Sequence, residues 1–110
     1  MGTLFQAECH KSQVLNKLRA LEAELRAEGV RHVSLFGSVA RGEDTVSSDV
    51  DLALDLAPDA VPTGFQFVTY VDRLKRRLAA ALSRNVDIVI LPARRRELRE
   101  ALSRDATPAF

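Results

Sequence analysis

Apolar positions along this chain recur with two periods, one helical and one alternating. Between residues 12 and 28, Val14, Leu18, Leu21 and Leu25 repeat at helical spacing, with Leu15 beside them. Glu22 and Arg26 form an i,i+4 pair on the outer side, and Gly29 stands where a helix C-terminal glycine belongs. RHVSLFG, residues 31–37, alternates as a strand does, with Val33, Leu35 and Gly37 on one face. SVARGEDTVSS then predicts a short helical turn and a polar loop, and residues 49–56 predict a second strand. APDAVPTG, with two prolines and a glycine, is a connection. Residues 65–83 predict a second long helix, because Phe67, Val71, Leu74, Leu78 and Leu82 share a face; Asn85 ends it or turns the chain. VDIVIL, residues 86–91, is β-branched and of buried character, and Pro92 stops it. Residues 93–104 predict a basic helix with Leu98 and Leu102 inward, and the tail DATPAF, residues 105–110, is expected to be loose. Helix, strand, turn, strand, helix, strand, helix is an α/β (α+β) order: a small sheet of three or four strands flanked by helices.

Composition narrows the class. The 110 residues fit one domain, 1–110, and a hydrophobic fraction of 46% allows a modest core. No window approaches the roughly 18 apolar residues of a membrane span, and MGTLFQAECHK lacks the basic start and apolar core of a signal peptide. Cys9 is alone, so no intrachain disulfide forms and a cytoplasmic location is expected. His10 and His32 are far apart and form no metal-ligand spacing. The net charge of +1 hides an uneven spread: Glu43 to Asp72 holds seven acidic residues and no Lys or Arg, whereas Arg73 to Asp105 holds ten basic and four acidic residues. The first region is acidic enough to hold cations; the second can attract phosphate or an acidic partner, or simply solvate helix faces.

That contrast directs attention to LFGSVARGEDTVSSDVDLALDL, residues 35–56. Side chains at i and i+2 of a strand share a face, so Asp49 and Asp51 project together, about 7 Å apart at the backbone. Val50, Leu52, Leu54 and Leu56 then take the core face. Like charges this close repel, and a divalent cation removes the conflict. Magnesium suits such a pair, because it takes one or two carboxylates and completes its shell with water and substrate phosphate. Asp87 sits inside the apolar VDIVIL, where burial without a partner would cost several kcal/mol. If the third strand neighbours the second, Asp87 joins the same site, and three carboxylates suit a two-metal centre. Gly37 and Ser38 fall between a strand and a short helical segment: a glycine admits phosphate close to the backbone, and the following N–H groups and hydroxyl favour an anion. Arg41, one helical turn on, is placed for the same anion.

Together, Phe36-Gly37-Ser38, Asp49-Val50-Asp51-Leu52 and Asp87 in a later strand resemble the DNA polymerase beta-like nucleotidyltransferase superfamily. GSVARGEDTVSSDVDLAL looks in particular like the minimal nucleotidyltransferases, commonly antitoxins paired with a HEPN-domain RNase toxin. The resemblance implies the nucleotidyltransferase fold, a small mixed sheet between helices. It implies that Gly37 and Ser38 hold the nucleoside triphosphate, with Arg41 matching an arginine of the motif. It implies that Asp49 and Asp51 bind two Mg2+ ions, and that Asp87 binds the catalytic ion and helps deprotonate the attacking hydroxyl. The implied reaction moves AMP from ATP to a hydroxyl, a tyrosine of the cognate HEPN toxin, with which the chain would assemble. Larger members of the superfamily carry further domains for base and acceptor, so those pockets are expected to be open here or completed by a partner. Direct nucleic-acid binding is not expected. The alternatives are an antitoxin that masks its toxin by contact, through the basic helix of Arg94, Arg95, Arg96 and Arg99, and a transferase acting on a small-molecule hydroxyl.

Overall fold

Strand β2 (Val50–Leu56) organises the molecule, because its alternation is nearly complete: Val50, Leu52 and Leu54 are fully buried and Leu56 is nearly so, while Asp51 and Asp55 on the other side are half-buried. The computed structural model describes residues 2–45 and 47–110, with side chains described from residue 10 onward. Around β2 the chain runs α1 (Gly2–Ala20), α2 (Glu22–Ala27), β1 (Val30–Phe36), α3 (Gly37–Arg41), then β2, α4 (Phe65–Leu82), β3 (Val86–Ile90), α5 (Arg96–Asp105) and β4 (Thr107–Pro108).

The sheet is mixed and four-stranded, in the order β3-β2-β1-β4. β1 runs antiparallel to β2 and to β4; β2 runs parallel to β3, which requires the long crossover that α4 supplies. On one face, Leu35 and Val33 of β1 join the apolar residues of β2, and Leu18, Leu25, Leu74 and Leu78 of the helices complete a continuous core. Tyr70 adds a fixed point, its hydroxyl donating to the Glu28 carbonyl at 2.7 Å. Among the described residues no helix is long and apolar enough to cross a membrane.

Three sequence expectations change. The helix predicted over 12–28 starts at Gly2 and is broken at Leu21, whose backbone (φ −93°, ψ 1°) leaves the helical region and lets α2 pack on β1. The basic helix begins at Arg96, after the Pro92 segment. The tail expected to be loose is instead the edge strand β4: Thr107 and Pro108 pair with Leu35 and Ser34, the Ala109 N–H donates to the Val33 carbonyl at 2.8 Å, and Arg19 Nε donates to the Ala109 carbonyl at 2.8 Å. Backbone bonds to Val33, the Arg19 cation and the burial of Ala109 offset the entropy of ordering the tail.

Candidate active site

The register places the carboxylates. Asp51 is opposite Phe36 on β1 and directly beside Asp87 on β3, so the two acids share a face of the sheet. Asp49 precedes β2 by one residue and is exposed; the next residue is locked, because the Val50 N–H donates to the Asn85 carbonyl at 2.9 Å. Asp87 is also exposed, which corrects the expectation of a buried acid: β3 is an edge strand, so its polar position opens to solvent instead of a second layer. Asp49 and Asp87 line one cleft of about 340 Å³ between the sheet and α4, together with Asp72, Lys75, Arg76 and Asn85. Asp51, Gly37, Ser38 and Arg41 lie outside that lining.

Gly37 and Asp51 abut. Gly37 has φ +75°, a conformation open to glycine, and an added Cβ would run into the Asp51 carboxylate, 3.1 Å from its Cγ. The turn after β1 and the carboxylate of β2 are therefore one structure. Ser38 follows, half-buried, in the first turn of α3, and its carbonyl accepts the Glu43 N–H at 2.9 Å. Gly42 closes α3 at φ +73°. Arg41 is engaged: its Nε donates to Glu43 at 2.9 Å and its Nη1 to Asp105, at the end of α5, at 2.6 Å.

The electrostatics are those of an acidic cluster. Burial pushes the Asp51 carboxyl above its ordinary value, the charges of Asp87 and Asp49 push it further, and Arg41 opposes them. No three carboxylate, imidazole or thiol groups among the described residues converge tightly enough to enclose a metal ion. The donor set still fits magnesium in chemistry: hard oxygens only, two carboxylates in register and a third in the adjoining cleft, with room for water and phosphate.

Residues 19–107 match the family description "Polymerase beta, Nucleotidyltransferase". The chain belongs to that family. Among curated proteins, this nucleotidyltransferase is 38% identical over 74 residues to the protein adenylyltransferase MntA of Thermococcus cleftensis, covering 66% of this chain and 69% of the relative. Among solved structures it superimposes on a chain of a toxin–antitoxin crystal structure with AMP-PNP, at a TM-score of 0.67 and 26% identity, covering 87% of this chain and 72% of that one. It also superimposes on a chain of the tri-AMPylated Shewanella oneidensis HEPN toxin in complex with MNT antitoxin, at a TM-score of 0.62 and 21% identity, covering 91% and 71%. The last likeness bears on the fold alone.

Sequence reasoning missed the α4 side of the cleft. Lys75 and Arg76 are the polar neighbours of the buried Leu74, and nothing in a single helix announces that its wet face borders a carboxylate. Arg84 was missed as well; its partners lie some forty residues earlier in the chain.

Proposed function

We propose that this nucleotidyltransferase moves AMP from ATP to a hydroxyl, a tyrosine of a cognate HEPN-domain toxin, in the cytoplasm, and silences the toxin by doing so. The observation that carries the reading is the in-register pair Asp51–Asp87, set against the Gly37 turn and adjoining the cleft that holds Asp49. The kinship to a protein adenylyltransferase supports the reaction, and the likeness to a chain of a toxin–antitoxin structure with AMP-PNP supports a nucleotide substrate and a toxin partner.

Asp49, Asp51 and Asp87 would hold two Mg2+ ions, which when bound neutralise the phosphates and clamp the attacking and leaving oxygens. Gly37, lacking a Cβ, lets the Asp51 carboxylate sit against the turn that would face the triphosphate, and Ser38 offers its hydroxyl as a donor. Arg41 contributes positive charge from the rim, held there by Glu43 and Asp105. Asp87, exposed in the cleft, takes the proton of the acceptor hydroxyl. The acceptor oxygen bonds to the α-phosphorus, the bond from that phosphorus to the bridging oxygen breaks, and pyrophosphate leaves. Positioning and charge supply most of the rate in such transfers. On the toxin, the added phosphate brings negative charge and bulk.

Intact mass of the helical protein encoded next to this chain, after incubation with ATP and Mg2+, tests the reading. Wild type is expected to add one or more AMP units and Asp49→Asn/Asp51→Asn none. Absence of any gain, with both forms binding the helical protein equally, leaves an antitoxin that acts by contact.

A further inference from the structure

The loop between the phosphate turn and the first carboxylate is held by one side chain from across the molecule. Arg84 leaves the end of α4 just after Ser83, which caps the helix at φ +56°, and the Arg84 N–H is itself bonded to the Ala79 carbonyl at 3.2 Å. Its guanidinium reaches the loop with both terminal nitrogens. Nη1 donates to Asp44 at 3.0 Å; Nη2 donates to the Thr45 carbonyl at 2.9 Å and to the Ser48 carbonyl at 2.7 Å. The pair is largely shielded, with 3% of the Asp44 side chain and 16% of the Arg84 side chain exposed. His10 Nδ1 approaches the same Asp44 oxygen at 3.1 Å. Within the loop, the Ser48 N–H donates to the Thr45 carbonyl at 3.0 Å and the Thr45 N–H to Ser48 Oγ at 2.9 Å. Asn85, the next residue after Arg84, takes the Val50 N–H.

We infer that Arg84 is a positioning residue for the metal carboxylates: its fork fixes the carbonyl on one side of Asp49 while the Asn85 carbonyl fixes the N–H on the other. Among the described residues no side chain hydrogen-bonds the Asp49 carboxylate, so its aim is set by the backbone on either side. That backbone is exposed for most of its described length; His10 of α1 meets it at Asp44 alone, whereas Arg84 spans Asp44, Thr45 and Ser48. Only a planar fork can reach a carboxylate with one arm and two carbonyls with the other; a lysine supplies the charge but not that geometry. The inference rests on the metal-dependent reading above.

Arg84→Lys separates position from fold, because it keeps a cation beside the shielded Asp44; Arg84→Ala removes both. Binding of Mn2+ with AMP-PNP is measured on folded protein well below each variant's melting temperature, alongside amide hydrogen exchange over residues 44–49. Arg84→Lys is expected to melt close to wild type, to exchange faster in the loop, and to bind Mn2+ about 10- to 100-fold more weakly, the usual cost of losing an orienting partner behind a metal ligand. Wild-type Mn2+ affinity in folded Arg84→Lys overturns the inference. A wild type that binds no Mn2+ in the presence of AMP-PNP overturns the metal reading and this inference with it.

Discussion

Two aspartates on β2 occupy the same side of the same strand, both half-buried, and the protein treats them differently. Asp55, opposite His32, receives Arg31 Nη2 at 2.9 Å. Asp51, two pleat repeats along, faces Phe36 on one side and a second acid, Asp87, on the other, and its carboxyl is pushed up by burial and by that neighbour. A third acid, Asp44, has a more shielded side chain than Asp55, yet Arg84 and His10 outweigh its burial and hold it below the ordinary carboxylate range. At Asp55 and Asp44 the chain supplies the countercharge. At Asp51 no ion pair forms among the described residues, although arginines are plentiful: Arg41, whose charge does act on it, is committed to Glu43 and Asp105. An unsettled charge beside the Gly37 turn is consistent with the metal-dependent reading proposed above.

The strongest test of that contrast removes the unsettled charges. Asp49→Asn/Asp51→Asn is expected to lower AMP transfer on the order of 10³-fold or more, as loss of preorganised transition-state charge does. Its melting temperature should hold or rise, since repulsion is relieved. A large fall in both would mean that these acids are structural. Next, Gly37→Ala brings a methyl against Asp51 and forces φ +75° on an L-residue. A loss of about 1–2 kcal/mol in denaturant unfolding is expected from the backbone alone, with transfer impaired because the turn and the carboxylate move together.

How much of this was legible in the chain depends on the range of each interaction. Val50, Leu52, Leu54 and Leu56 advertised their face because alternation is local, and so did the i,i+2 spacing of Asp49 and Asp51. The neighbourhood of Asp87 was legible only as a condition, that the third strand lie beside the second, which the parallel β2–β3 pairing meets. Its exposure was not: VDIVIL has the composition of a central strand, and only the sheet order makes it an edge. DATPAF looked loose because its partners, Val33 to Leu35 and Arg19, lie seventy or more residues earlier. Arg84 read as one basic residue among many for the same reason.

Acid titration sharpens the opposite pole of the comparison. Because the Asp44 carboxyl is held low in the folded protein, it stabilises the fold above the ordinary carboxylate range, and that contribution is lost as pH falls through the depressed value. Unfolding followed from about pH 5 to about pH 2 should show wild type losing more stability than Asp44→Asn over the same interval. Equal slopes would remove Asp44 from the balance. The smallest effect belongs to the settled surface pair: Arg31→Ala is expected to cost less than about 1 kcal/mol, since Arg31 is half-exposed and screened. It should leave AMP transfer at the wild-type rate, and a marked drop would show that the Asp55 end of β2 communicates with the site.

The parallel pairing of β2 with β3 also sets when the site comes into being. β1 and β2 lie close in sequence, whereas β3 is separated from β2 by the whole of α4, so the β2–β3 pairing closes the longer loop. Asp87 is therefore the last of the three acids to arrive. A chain emerging from the ribosome exposes Asp49 and Asp51 before Asp87, and the three share a site only once β3 has paired with β2.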